Sequence, residues 1–487
     1  MIRALLVSAL ALSVGACEDS RQEGKPIVVS VIGDPARIGD PDTAPLGPPD
    51  RALMAATAQG LVRFDGAGQI EPGLAERWTV TDDGLSYIFR LRDASWSDGS
   101  PVTAAEVVRV LRKAAQAKGG NSLSPFLAVI DEIVEMTPQV IEVRLRRPRP
   151  DLLKLFAQPE LAVFRTAGSS RLGSGPMVAQ RRGDALLLTP ARDPAAAVEE
   201  EGPRPIAATP VLLRGERAAR AVARFRNGDV DAVLGGTYAE WPLVWAAGIP
   251  AERLRLDPAL GLFGLAVVSR DGFLAEAANR NAIAMALDRD ALTRAFHPDW
   301  KPVETLMPQK LDSARAPASP IWGPIPGIGR LITAQQVVIA WKRAHPGKLR
   351  LRIAFPPGQG STLAWAAIAQ SMLNIGIVPQ RVALGEPADL ELIDQVAAYD
   401  SGRWFLVTAC RLCSPEATAA IEAARDAVDL PSRSQRIAEA DLVLTNDASY
   451  IPIAQPFRWS IVTPRVTGWQ GNTRAWHPLN HLRNEVE

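Results

Sequence analysis

Residues Pro72 to Lys113 read PGLAERWTVTDDGLSYIFRLRDASWSDGSPVTAAEVVRVLRK, and this stretch decides the fold class. Every second residue from Leu85 to Leu91 is apolar, which is the pattern of a strand with one buried face. An Asp-Gly pair on either side of this run supplies turn chemistry, because glycine adopts the positive φ that other residues resist. Thr103 and Glu106 form a capping box before apolar residues at helical spacing. The stretch therefore predicts a strand, a turn, a strand, a turn and a capped helix.

The same residues resemble the signature of the family 5 solute-binding proteins of ABC importers, which include dipeptide, oligopeptide and nickel binders. The segments PGLAERW, DDGLSYIFRLRD and WSDGSPVTAAEVV occur in the family's order. Far along the chain, Asn279–Arg289 (NRNAIAMALDR) resembles a second segment of the family. The resemblance implies an α/β, two-lobed periplasmic-binding-protein fold of type II, similar to cluster C, with an extra α/β subdomain in the first lobe.

The resemblance and the strand patterns together predict the domain organisation. The first lobe is expected over residues 27–262, and its peripheral subdomain over about 53–165. The apolar strand Gly261–Ser269 resembles the segment that crosses between lobes in the family. The second lobe is then expected over 263–461, and residues 462–487 are expected to return to the first lobe.

Within the second lobe, Leu349–Phe355 alternates apolar and basic residues and predicts a strand. An apolar helix at Ser361–Leu373 and a strand from Ile375 follow, which favours a parallel βαβ unit. Trp404–Thr408 is a short apolar run that we interpret as a further buried strand. Two helices are predicted after it, over 415–428 and 432–446, whereas residues 298–330 are loop-like.

The N-terminus has the features of a lipoprotein signal peptide. Met1–Ala16 contains a basic start and an apolar run too short to span a bilayer, and Val14-Gly-Ala-Cys17 resembles a lipobox. We expect cleavage before Cys17, lipidation of Cys17, and a flexible tether over residues 17–26. The alternative is an ordinary signal peptide with an incidental cysteine. Either prediction implies export, and the first implies a membrane-anchored protein in the periplasm or at the surface of a bacterium.

Composition excludes several classes of partner. The chain has 487 residues with 54 Lys and Arg against 53 Asp and Glu, so no net charge favours nucleic acid. No other run of about 18 apolar residues occurs, so a soluble mature chain is expected. The length exceeds that of a single typical domain, and 47% hydrophobic residues suffice for large cores.

The chain has three cysteines. Besides Cys17 there is the Cys-Arg-Leu-Cys sequence of Cys410 and Cys413, which could be a structural or oxidised pair, part of a pocket wall, or a redox pair. The four histidines lack the spacing of zinc ligands. We therefore predict no metal site and no cofactor.

The resemblance also directs attention to the residues around Arg411. Peptide-binding members of the family carry a pattern like W-x-x-D-x-x-D-P, whose first Asp pairs with the ammonium of the ligand. Anchoring this pattern on Pro415 places Arg411 where that Asp should be, with Trp404 and Cys410 nearby. An Arg at this position would repel an ammonium and match a carboxylate or phosphate. If Arg411 faces the cleft, an anionic or sugar-like solute is favoured; alternatively, Arg411 faces solvent.

Three further residues are candidates for the cleft. Asp34 follows the first strand in a Gly-Asp-Pro turn, where the family has a loop that borders the ligand; alternatively, Pro35 simply ends the strand. Tyr238 and Trp241 follow a strand that ends in Gly235-Gly236, and ligands of α/β sheets bind at such strand ends. Trp241 could equally pack on its own lobe.

The leading hypothesis is a non-enzymatic, lipid-anchored receptor that closes its two lobes on a peptide-like or other small solute. Its expected partners are the solute and an ABC permease with its ATPase, and the chain is expected to be a monomer. No G-x-S-x-G, HExxH or GxxxxGK[ST] motif occurs. The alternatives are a degenerate family member that acts as a surface lipoprotein or sensor, and a thiol redox protein using Cys410 and Cys413.

Overall fold

The computed structural model describes residues 25–116, 121–168, 170–191 and 209–484. The predicted signal peptide, the predicted lipidation site Cys17 and nearly all of the predicted tether lie outside the described residues. In the part of the chain that is described, no helix is both long and apolar enough to cross a membrane.

The strands of the described residues form several sheets. In chain order they are β1 (Ile27–Ile32), β2 (Val62–Phe64), β3 (Ile70–Pro72), β4 (Ala75–Val80), β5 (Ser86–Leu91), β6 (Ile130–Thr137), β7 (Val140–Leu145), β8 (Phe164–Ala167), β9 (Ser170–Gly173), β10 (Met177–Arg182), β11 (Ala185–Pro190), β12 (Val211–Glu216), β13 (Ala232–Thr237), β14 (Leu254–Asp257), β15 (Gly261–Val267), β16 (Arg350–Phe355), β17 (Val378–Ala383), β18 (Leu390–Val396), β19 (Tyr450–Ala454), β20 (Arg458–Val462), β21 (Val466–Thr467) and β22 (Arg483–Asn484).

The helices pack around these sheets. In chain order they are α1 (Pro48–Thr57), α2 (Ala104–Gln116), α3 (Ser124–Leu127), α4 (Leu152–Phe156), α5 (Ala218–Arg226), α6 (Trp241–Ala247), α7 (Ala277–Ala286), α8 (Arg289–Arg294), α9 (Gly327–Ala344), α10 (Gln359–Asn374), α11 (Gly402–Ala409), α12 (Pro415–Asp426) and α13 (Leu430–Asp447).

The first lobe is built on a seven-stranded sheet in the order β10-β11-β12-β1-β13-β20-β14. Strand β1 lies in its centre and pairs in parallel with β12 and β13. Because β20 pairs with β13 and β14, the chain is already back in the first lobe at Arg458, slightly before the predicted boundary at residue 461.

The second lobe is built on a five-stranded sheet in the order β17-β16-β18-β15-β19. Strands β16 and β17 are parallel and are connected through α10, as the βαβ pattern predicts. The predicted strand at Trp404–Thr408 is wrong, since these residues form helix α11. A short apolar run without alternation fits a buried helix as well as a buried strand, so periodicity could not separate the two.

The stretch that decides the fold class forms strands and a helix, as its local patterns predict, and we refer to this part of the chain as the subdomain. Strands β4, β5, β7 and β6 make an antiparallel sheet, and α2 packs against it. The capping box is present: the Glu106 amide donates to Thr103 Oγ1 at 3.4 Å, and the Thr103 amide donates to Glu106 Oε2 at 3.3 Å. Sequence-local chemistry therefore fixes the start of this helix.

Hydrophobic clusters connect the first lobe, the second lobe and the subdomain. One cluster joins the subdomain to the second lobe and contains both Phe89 and Leu406. Another joins the two lobes and contains both Val233 of β13 and Ile353 of β16. Apolar contacts therefore cross both boundaries, and we call this arrangement of the lobes closed.

We predict that Thr103→Ala lowers the free energy of unfolding of the subdomain by about 1 kcal/mol, because the cap of α2 loses its hydroxyl acceptor. Urea denaturation followed by circular dichroism measures the change. Thr103→Ser is the matched control, since it keeps a hydroxyl at the cap and should retain most of the stability. Equal losses in both variants would contradict a capping role.

Candidate functional site between the two lobes

Two short segments carry the chain between the lobes. Residues 258–260 connect β14 to β15, and residues 455–457 connect β19 to β20. The Gly261 amide donates to the side-chain oxygen of Gln455 at 3.0 Å, so the two crossings are hydrogen-bonded to each other. A Cβ atom on Gly261 would lie 2.0 Å from the Gln395 carbonyl oxygen, which explains why a glycine starts β15. The crossings therefore lie next to the C-terminal end of β18.

An ion pair joins the two lobes beside these crossings. Arg458 of β20 donates to the Asp394 carboxylate of β18 at 2.8 and 3.0 Å, and both side chains are nearly buried. Burial raises the pKa of Asp394, although the positive charge of Arg458 opposes this shift. Loss of hydration therefore outweighs the attraction between the two charges at this position.

An aromatic cluster supports the junction and contains two of the predicted site residues. The Tyr238 hydroxyl is 3.3 Å from Ser361 Oγ of α10, and its ring packs edge-on against Phe263. The indole of Trp241 donates to the Phe296 carbonyl oxygen at 2.8 Å. Burial raises the pKa of Tyr238 well above its ordinary value. Tyr238 and Trp241 are only 1% and 2% exposed, so they support the wall of the junction and offer no surface to a solute in this state.

A polar network lies directly after β18, where the second lobe faces the rest of the chain. The Ala398 carbonyl oxygen accepts from the side chain of Gln158 and from Arg474, the latter at 3.2 Å. The Asp400 carboxylate accepts from Arg474 at 3.0 Å and also pairs with Lys154. Burial lowers the pKa of Arg474, although Asp400 opposes this shift. The segments around Gln158 and Arg474 are distant in sequence from each other and from the second lobe. They therefore meet at the acceptor groups of Ala398 and Asp400.

The network continues toward the first lobe. Arg51 of α1 donates to the Gln158 side chain at 3.0 Å and pairs with Glu160. The Arg51 guanidinium also lies over the ring of Trp476, 5.6 Å from its centroid. The region thus combines aromatic surface with main-chain and charged groups, which are the contacts that orient a small polar solute.

The other predicted site residues lie elsewhere. The Arg411 side chain is 39% exposed, and its Nε is 3.9 Å from Glu391 near the start of β18. An extended stretch from Glu391 to Ala398 spans roughly 20 Å, so Arg411 lies at the end of the strand that is opposite the junction. Asp34 is exposed after β1. The structure brings neither residue into the polar network.

The segment around Arg411 is held by its own contacts. Trp404 is buried in α11 and packs edge-on against Phe405. Cys410 and Cys413 form a disulfide and pack against the cluster that joins the subdomain to the second lobe. These contacts hold the segment from Trp404 to Cys413 in place.

Sequence analysis missed the four charged residues of the junction, which are Asp394, Asp400, Arg458 and Arg474. A signal was present for the first, because Asp394 shares one face of β18 with the apolar residues Leu390, Leu392 and Val396. Its partner is 64 positions away, and nothing in the local pattern indicates that separation. No group of three or more His, Cys, Asp and Glu suited to a metal ion occurs among the residues that the structure describes.

The sequence of the chain is similar to those of known binding proteins. The family model described as bacterial extracellular solute-binding proteins, family 5 middle, matches residues 69–378. The periplasmic oligopeptide-binding protein OppA of Haemophilus influenzae is 21% identical over 99% of this chain and 97% of that protein. The periplasmic murein peptide-binding protein MppA of Escherichia coli is 26% identical over 60% of this chain and 58% of that protein.

A third relative matches only in part. The Escherichia coli protein named "Probable deoxycholate-binding periplasmic protein YgiS" is 33% identical over 21% of this chain and 23% of its own length. The chain thus matches nearly all of one relative, just over half of another and under a quarter of the third.

Solved structures share the two-lobed fold. The complex of Haemophilus influenzae OppA with the peptide RPPGFSPFR has a TM-score of 0.78, 18% identity, and coverage of 94% of this chain and 99% of that chain. The murein tripeptide-binding protein MppA of Escherichia coli has a TM-score of 0.79, 20% identity, and coverage of 95% and 99%. The predicted two-lobed fold is confirmed.

We predict that Asp394→Asn and Arg458→Gln each lower the free energy of unfolding by about 3 kcal/mol or more, because each leaves a buried charged or polar partner unpaired. The double variant Asp394→Asn/Arg458→Gln should lose less than the sum of the two single losses, since it removes both charges. Urea denaturation of the four proteins measures the coupling between the two positions.

The pH dependence gives a second readout of the same pair. Since the pKa of Asp394 is raised on folding, its contribution to stability declines as the pH rises from the ordinary aspartate range to the raised value. The double variant should lack this decline. Strictly additive losses would contradict the ion pair.

Proposed function

We propose that this chain, which belongs to the bacterial extracellular solute-binding proteins of family 5, captures a peptide-like solute between its two lobes and delivers it to an ABC permease with its ATPase. In this proposal the chain binds and releases its solute without changing it chemically. It acts as a monomer, anchored by lipid on Cys17 in the periplasm or at the cell surface. The names of its relatives describe binding proteins, and two of the three describe binders of peptides.

The observation that carries the proposal is the pair of acceptors directly after β18. The Ala398 carbonyl oxygen and the Asp400 carboxylate face donors that belong to other parts of the chain. When the lobes separate, Gln158 and Arg474 no longer satisfy these acceptors. An amide N–H of a peptide could then donate to Ala398, and an ammonium could form a charge-assisted bond with Asp400.

This arrangement changes the expected chemistry of the solute. In the sequence, Arg411 and the lack of Asp or Glu between Trp404 and Pro415 favour an anionic or sugar-like solute. At the junction, the second lobe contributes Asp400, whose side chain is 32% exposed and therefore available at the surface of the cleft. A carboxylate at this place favours a solute with an amine.

Hinge motion is supported by the two crossings beside β15 and β20. Domain closure uses a few residues that absorb the change of backbone angles, and 258–260 and 455–457 lie between strands that are paired within their own sheets. The ion pair of Asp394 and Arg458 lies next to both crossings and joins the two sheets.

A second function has one observation in its favour. The acceptors Ala398 and Asp400 are satisfied by the chain's own Gln158, Lys154 and Arg474, so the closed state needs no solute to complete its hydrogen bonds. This fits a degenerate family member that serves as a surface lipoprotein or sensor. The redox alternative through Cys410 and Cys413 gains no support beyond the disulfide itself.

We predict that the wild-type protein, purified from its own host and examined by native mass spectrometry, carries a peptide-like solute that Asp400→Asn loses. The Asp400→Asn variant removes the charge that would hold an ammonium but keeps the size of the side chain. Arg411→Ala is the matched control, because Arg411 lies away from the junction, and it should retain the solute.

Two outcomes would decide against this site or this function. Loss of solute in Arg411→Ala together with retention in Asp400→Asn would place the site at the other end of β18. Absence of any solute in the wild type, with no rise of the melting temperature in peptide mixtures, would favour the non-transport lipoprotein. Ligand at a hundredfold excess over Kd should stabilise the protein by about 2.7 kcal/mol.

Lipid anchoring is tested separately. We predict that Cys17→Ser moves the protein from the membrane fraction to the soluble periplasmic fraction, because the only predicted acyl acceptor is lost. Intact mass of the wild-type protein should show the added acyl chains. A wild-type protein that is found in the soluble fraction without acyl mass would instead indicate an ordinary signal peptide.

A further inference from the structure

A second cluster of charges lies where the peripheral subdomain meets the second lobe. It surrounds a cavity of about 20 Å³, and its principal lining residues are Phe126, Arg149, Asp151, Tyr399, Arg403 and Arg433. Phe126 and Tyr399 close it from the two sides by an edge-on ring contact. The cavity therefore lies at an interface that changes when the subdomain and the second lobe separate.

Two of the three arginines have no carboxylate partner. Arg149 donates to the carbonyl oxygens of Pro148 and Arg425, both at 2.7 Å. Arg403 donates to the Pro125 carbonyl oxygen at 3.3 Å and lies over the ring of Phe126. Among the residues that the structure describes, neither guanidinium forms an ion pair with Asp or Glu.

The carboxylates that line or adjoin the cavity are already engaged. Arg433 pairs with Asp312, and it also donates to Ser401 at 2.9 Å. Asp151 pairs with Lys154 at 3.2 Å. The cluster therefore keeps two uncompensated positive charges, those of Arg149 and Arg403.

The guanidinium groups of Arg403 and Arg433 are buried and incompletely hydrogen-bonded. Arg403 and Arg433 are 7% and 3% exposed, and the Nε atom of each lacks a hydrogen-bond partner. Burial and the positive charges of Arg433 and Arg403 lower the pKa of Arg149 to about 10, so it remains charged at neutral pH. Burial raises the pKa of Tyr399 to about 12, so its phenol stays neutral and supplies no negative charge.

Buried guanidinium groups of like charge are costly unless an anion compensates them. The planar fork of arginine matches the oxygens of a carboxylate or a phosphate. We propose that this cavity binds an oxyanion between Arg149 of the subdomain and Arg403 and Arg433 of the second lobe. The oxyanion is either a free ion such as phosphate or a carboxylate of the captured solute.

The proposed oxyanion site is separate from the acceptors at Ala398 and Asp400. It would bind a negatively charged group, whereas those acceptors would bind an amide N–H or an ammonium. Because its arginines come from two parts of the chain, a bound oxyanion stabilises the closed arrangement relative to the open one. The free-ion form is independent of the proposed function, whereas the carboxylate form rests on it.

The test titrates the full-length protein with inorganic phosphate, and in parallel with acetate, at constant ionic strength set with sodium chloride. We expect a saturable rise of the melting temperature and a binding isotherm by calorimetry. Arg403→Gln and Arg149→Gln should weaken the affinity by about tenfold or more, since each removes a charge-assisted donor. Arg436→Gln removes an exposed arginine elsewhere on the second lobe and should leave the affinity unchanged.

Further readouts separate misfolding and the two sources of the oxyanion. Arg403→Lys keeps the charge without the fork and should bind with intermediate affinity, which a merely misfolded variant would not do. A phosphate response that persists in Asp400→Asn identifies a free ion. If only a co-purified acidic solute responds, native mass spectrometry should show it in the wild type and in Arg436→Gln, and not in Arg403→Gln.

The proposal is overturned by either of two results. One is a wild-type protein that responds to neither phosphate nor acetate while Arg403→Gln retains the same co-purified molecules. The other is an equal response in wild type, Arg403→Gln and Arg149→Gln. In both cases solute capture at Asp400 would be unaffected, so the two proposals fail separately.

Discussion

Two three-residue segments between the sheets, 258–260 and 455–457, constrain everything else in this molecule. Each is followed at once by a strand that cannot shift: β15 starts at Gly261, and Trp459 of β20 donates from its indole to the Thr237 carbonyl oxygen at 2.8 Å. A Cβ atom on Gly236 would lie 2.1 Å from the Trp459 ring, so the ring rests directly on the backbone of β13. In the proposed hinge motion, the movement of the lobes would therefore concentrate in the crossings themselves.

The buried charges beside the crossings suit an interface that has to open. Asp394 and Arg458 belong to different lobes, and their attraction in the closed state is offset by lost hydration, as the raised pKa of Asp394 indicates. In the proposed opening, both groups would regain water, so the ion pair would oppose separation less than an apolar contact of the same size. Apolar contacts between the lobes, such as those of Tyr238 with Phe263 and Phe296, would stabilise closure without such compensation, since apolar surface exposed on opening is unfavourable.

The sequence alone predicted those parts of the fold whose partners are close in the chain. The strand at Leu85–Leu91, the cap at Thr103 and the βαβ unit around α10 depend on alternation and local hydrogen bonds. The two residues of the cap, Thr103 and Glu106, are only three positions apart. The junction depends on pairs such as Lys154 with Asp400, which are 246 positions apart and have no local pattern. Anchoring the family pattern on Pro415 directed the sequence analysis to Arg411, and no local pattern pointed to Asp400.

Lys154 connects the two proposed sites, because it pairs with Asp151 beside the arginine cavity and with Asp400 at the solute cleft. An oxyanion bound near Asp151 would repel that carboxylate and attract the ammonium of Lys154 toward the cavity. Asp400 would then lose part of its compensation and hold an amine of the solute more strongly. Because coupling between two binding sites is reciprocal, the solute would by the same amount strengthen oxyanion binding. A single lysine shared by two carboxylates would thus couple the two proposed ligands.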